Sequence, residues 1–69
     1  MQEVLRSNDM VTMSFAASLL RDAGIEHAVF DTNMSIVEGS LGILPSRLMV
    51  DRSRAEDAKI LLRDAGIEL

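Results

Sequence analysis

Apolar positions along this chain follow a helical spacing twice, each time flanked by short extended stretches. From Asp9 to Ala23 they fall at Val11, Phe15, Ala16, Leu19, Leu20 and Ala23, one face of a helix. From about Arg54 to Ala65 they fall at Ala55, Ala58, Leu61, Leu62 and Ala65, which predicts a second helix. Ser7, Asn8 and Asp9 are three candidate N-caps for the first. Ser53-Arg54-Ala55-Glu56 matches the capping box for the second, in which each side chain satisfies the other residue's free N–H. Glu3–Arg6 and Arg47–Val50 precede the helices as short β-compatible runs, and Ile25–Thr32, rich in Val and Phe, follows the first.

The pattern contains a repeat. Leu19-Leu20-Arg21-Asp22-Ala23-Gly24-Ile25-Glu26 recurs as Leu61-Leu62-Arg63-Asp64-Ala65-Gly66-Ile67-Glu68, an offset of 61 − 19 = 42 residues. Two copies are too few for a solenoid, which needs about three stacked units. They fit a domain of two related halves. In each copy an apolar pair closes a helix, Gly supplies a left-handed residue, and Ile starts an extended segment.

The predicted order is therefore β-α-β-β-α-β, with only Ile67-Glu68-Leu69 left for the last strand. Right-handed crossovers interleave two such units into an antiparallel sheet with both helices on one face. That is an α+β, ferredoxin-like arrangement with expected strand order 4-1-3-2 and a truncated last strand. The rival reading is a three-stranded sheet with two helices and a tail.

Length sets the scale of the fold. The 69 residues (7.6 kDa) predict one domain over 1–69 that buries only about 60% of its unfolded surface. Both alternation phases of Ile25–Thr32 are partly apolar, and Met49 falls opposite Leu48 and Val50. An open sheet face with such residues suggests self-association as a homodimer. The alternative is a small monomer with scattered surface apolars.

Charge and composition narrow the partners. Seven basic against eleven acidic residues give a net charge of −4, which argues against a nucleic-acid binder. With two Phe and no Tyr or Trp, the chain also lacks the aromatics of an RNA-stacking sheet. There is no cysteine, so disulfides, zinc knuckles and thiol nucleophiles are excluded together. No basic-then-apolar start reads as a signal peptide, and no run approaches the roughly 18 apolar residues of a membrane span. The expectation is a soluble cytoplasmic protein with no membrane partner.

One segment exceeds what a hairpin needs. Asn33–Ser46, between the second and third strands, carries one charge, Glu38, and six aliphatic or Met residues. Connections longer than about 12 residues are usually functional or disordered, and disordered ones are not this apolar. Asp31, Asn33, Ser35 and Ser40 offer hydrogen-bonding groups. Gly39 and Gly42 allow close backbone approach, and Arg47 at the exit supplies a cation. These seven residues are the candidate site for an unidentified protein or a small anionic metabolite. The competing reading makes the segment a structural plug over the sheet edge.

Asp31-x-Asn33-Met34-Ser35, Glu38-Gly39-Ser40-Leu41-Gly42 and Pro45-x-Arg47-Leu48-Met49-Val50, with the helix-ending Ala-Gly-Ile, resemble a bacterial putative signal-transducing family, a domain of unknown function. The resemblance spans essentially the whole chain. It implies a fold near the nitrogen-regulatory P-II-like, ferredoxin-like group, and it brings no catalytic residues. In that group the connection between the second and third strands is a long effector and partner loop. Asn33–Ser46 is topologically equivalent to it and much shorter.

The residues themselves give no chemistry. His27 is the sole histidine, with no Cys beside it for zinc. Asp31, Asn33 and Glu38 lack the ligand alternation of a calcium loop. Neither G-x-S-x-G nor a Gly-rich phosphate motif occurs. The methionines read as core fillers. The expectation is no catalytic residue, no metal, no cofactor and no enzyme activity. What remains is a regulatory domain acting through the strand-connecting loop, or an oligomerising interaction module using the open sheet face or edge.

Overall fold

The computed structural model describes residues 1–30 and 45–69. Within them run strand β1 (Gln2–Ser7), helix α1 (Met10–Asp22), strand β2 (His27–Phe30), strand β3 (Ser46–Val50) and helix α2 (Ala55–Asp64), the last entered through a 3-10 turn at Arg52–Arg54. Over the described residues the fold is a small α+β arrangement of an antiparallel three-stranded sheet and two helices.

Strand β3 lies in the middle, in the order β1-β3-β2. This agrees with the 1-3-2 part of the expected order and lacks the outer fourth strand. Ile67–Leu69 follow α2 without strand pairing, as in the rival reading. The reason is local. Ile67 is drawn into the core by the turn that ends α2, leaving two residues for an edge.

The repeat closes both helices identically. Gly24 and Gly66 have φ of +73° and +91°, the left-handed region that glycine enters without a Cβ penalty. At the first, Gly24 N–H donates to the Arg21 carbonyl (3.0 Å) and Ile25 N–H to that of Leu20 (2.9 Å). At the second, Gly66 donates to Arg63 (3.0 Å) and Ile67 to Leu62 (3.1 Å). This paired pattern is the Schellman motif, and its apolar partners Leu20, Ile25, Leu62 and Ile67 all belong to the core.

The helix starts differ from each other. Asp9 is the N-cap of α1, accepting from Val11 N–H and Thr12 Oγ1, both at 3.0 Å, while Ser7 Oγ accepts from Asp9 N–H. The capping box at Ser53 does not form. Asp51 caps the 3-10 turn instead, accepting from the Ser53 amide and hydroxyl, and Arg54 precedes α2 with no side-chain cap. Ser53 lies inside the 3-10 turn rather than at the N-cap position of α2, and its hydroxyl donates to the Asp51 carboxylate.

One core lies between the helices and one face of the sheet. It joins Val4, Leu5, Leu48 and Val50 to Met13, Ala16 and Leu20 of α1 and Ala55, Ala58 and Leu62 of α2. The alanines keep the helix backbones close to their neighbours. Met13 takes the inward position expected of Phe15, which is 46% exposed, and Val11 also faces out. With apolar residues over most of α1's surface, the phase was decided by Leu20 and Ala16, both wholly buried.

Candidate functional site

Burial alternates along β3. Ser46, Leu48 and Val50 turn inward, Met49 is half-buried, and Arg47 is exposed on the face away from the helices. Antiparallel partners directly opposite share a face. Arg47 stands opposite Arg6 of β1 and Phe30 of β2, so these three form one row across the whole sheet. Met49 stands opposite Glu3 and Ala28 in the adjacent row. Among the described residues the open face therefore carries two arginines, one glutamate and three apolar side chains.

Two of its charges are paired. Arg6 donates to both carboxylate oxygens of Glu3, at 2.9 and 3.3 Å, a salt bridge along one strand. That hydrogen bond, with the charges of Arg6 and Arg47, holds the Glu3 carboxyl below its ordinary value. Among the described residues Arg47 makes no ion pair.

The β2–β3 pairing also locates the ends of the connection. Phe30, the last residue of β2, is opposite Arg47, one residue into β3. The chain leaves and re-enters at this end of the sheet. Of the candidate site, Arg47 is described and lies at the exit of the connection, on the open face. Asp31, Asn33, Ser35, Gly39, Ser40 and Gly42 lie outside the described residues.

Three depressions lie elsewhere. One of ≈ 390 Å³ is bordered by Arg6, Ser7, Thr12, Phe15 and the end of α2. One of ≈ 250 Å³ lies between Glu3–Arg6 and the Glu68-Leu69 tail, and one of ≈ 460 Å³ adjoins Arg21 and Gly24–His27. None of the three is lined by Arg47, Phe30 or Met49. His27 is half-buried, its Nδ1 donating to the Ile25 carbonyl at 3.0 Å. No group of three or more His, Cys, Asp or Glu among the described residues is arranged to hold a metal ion.

A family model described as "putative prokaryotic signal transducing protein" matches residues 1–66. The chain belongs to this family. No curated protein matches it. Family membership carries a signal-transducing domain as the coarse description, and among the described residues no helix is long and apolar enough to cross a membrane.

The sequence does not mark Arg6, and it marks Phe30 only as an apolar position of the second strand. Arg6 and Phe30 become neighbours of Arg47 only through strand register, and the register of β1 shifts at an irregularity between Glu3 and Leu5. Chain spacing carries no trace of that shift. The one available signal was the type of residue: an arginine at each of two short strands.

Proposed function

We propose that the chain is a non-enzymatic signal-transducing domain that acts by binding, at the end of the sheet where the β2–β3 connection leaves and returns. Arg47 supplies the cation, and the polar groups of Asp31, Asn33, Ser35 and Ser40 orient what is bound, either a protein or a small anionic metabolite. The observation that carries this reading is the pairing of Phe30 with Arg47. An exposed arginine at that junction fits recognition, since the core lies on the other face. The frame is ferredoxin-like, with the Glu68-Leu69 tail beside β1 in the place of a fourth strand, a reading supported by the depression these two elements share.

The test compares Arg47→Ala and Ser40→Ala with Leu48→Ala by native mass spectrometry of the purified protein and by thermal melting. On this reading the first two keep the wild-type melting temperature and lose a co-purifying metabolite or partner, whereas Leu48→Ala loses the fold. If the first two only unfold the protein, the connection is a plug.

A second reading is an oligomerising module. It is favoured by Val29 and Phe30, which are exposed on the edge strand β2. Sedimentation of the wild type over a wide concentration range separates the two.

A further inference from the structure

We propose that the open face of the sheet docks an acidic protein segment, held by Arg6 and Arg47 and seated on Phe30 and Met49. The inference shares Arg47 with the binding reading above and rests on it there. It adds Arg6, which lies on β1, across the sheet from the connection.

Arg6 and Arg47 are direct cross-strand partners, and like charges in that position destabilise a sheet. Arg6 is turned along its own strand by Glu3, which eases the repulsion and fixes its guanidinium on the face. Nothing in the core requires a second arginine opposite it. An acidic partner converts the repulsion into a two-point grip, because a guanidinium offers several donors in a fixed fork.

Among the described residues, two arginines and one glutamate give the face a net +1, in a chain whose net charge is −4. That local sign is complementary to an acidic group. A second copy would bring positive face to positive face.

Arg47 and Phe30 are exposed, Met49 is half-buried, and Arg6 borders two of the depressions. Arg, Phe and Met are the types enriched in protein interfaces.

The test titrates the 15N-labelled protein with the blocked peptide Glu-Phe-Glu-Leu-Glu and with its Gln-for-Glu counterpart. The expected result is amide shifts at Arg6, Ala28, Phe30, Arg47 and Met49 with the acidic peptide only. Arg6→Gln and Arg47→Gln should each weaken binding roughly two- to fivefold, the span of an exposed ion pair. Arg52→Gln combined with Arg54→Gln, at the other end of β3, should leave it unchanged. Equal weakening by that control, no shift with the acidic peptide, or shifts on this face that follow protein concentration alone would each overturn the proposal. Sensitivity to Arg47→Gln without sensitivity to Arg6→Gln would also overturn it, while leaving the reading of the connection intact.

Discussion

The amide of Ile25 donates to the carbonyl of Leu20 at 2.9 Å across a left-handed Gly24, and both side chains are buried. The same relationship joins Ile67 to Leu62 across Gly66. Each turn ends a helix and returns the chain to the core in three residues. The sheet order depends on the first of them, since it aims β2 at β3.

A Cβ at Gly24 or Gly66 would meet nothing within 4 Å, so substitution there is opposed by backbone conformation alone. Gly24→Ala and Gly66→Ala should each lose about 1–2 kcal/mol in urea denaturation. Asn at either position should lose less, because its short polar side chain tolerates the left-handed region. Equal losses for Ala and Asn would show that something other than φ is at work.

Core and surface apolars of α1 should separate cleanly. Leu20→Ala should lose about 2–5 kcal/mol, a large share of what a domain of this size possesses. Phe15→Ser should stay within about 0.5 kcal/mol, despite the larger side chain removed. Denaturation of both variants checks this, and a Phe15→Ser loss comparable to Leu20→Ala would reverse the phase of the helix.

Acid stability follows from three carboxylates. Thr12 and the Val11 and Thr12 amides hold Asp9 below its ordinary 3.8, and the Ser53 hydroxyl and amide do the same for Asp51. Glu3 is held below its ordinary 4.5, chiefly by Arg6. Each folded-state pKa is depressed, so the contribution is complete above the ordinary value and lost as pH falls through the folded one. Stability should be level from neutrality to about pH 4.5 and decline below it. Asp9→Asn keeps an oxygen for the Val11 amide and should make that decline shallower. An unchanged acid limb in Asp9→Asn would remove Asp9 from the explanation.

What the sequence made legible was periodic or repeated. The Ala-Gly-Ile copies marked both helix ends, and the β-compatible runs marked β1 and β3 to within a residue or two. Competition between nearby groups was not legible. Three N-cap candidates resolved to Asp9 because Ser7 accepts from the Asp9 amide, and the Ser53 box gave way to Asp51. Met13 replaced Phe15 because an apolar surface wider than a stripe does not fix its own phase. For the site, Arg47 at the exit was legible as an exposed cation after Pro45. Its cross-strand neighbours were not: the β1 irregularity sets Arg6 opposite it, and the β2–β3 register sets Phe30 there.

On the proposed function, Arg47 serves recognition and Leu48 beside it serves the frame. Thermal melting of Arg47→Gln against the wild type tests this most directly. The expected melting temperature equals the wild type's or exceeds it, because the substitution removes a like-charge pair and leaves the core untouched. A fall as large as that of Leu48→Ala would contradict it, and would make Arg47 part of the fold.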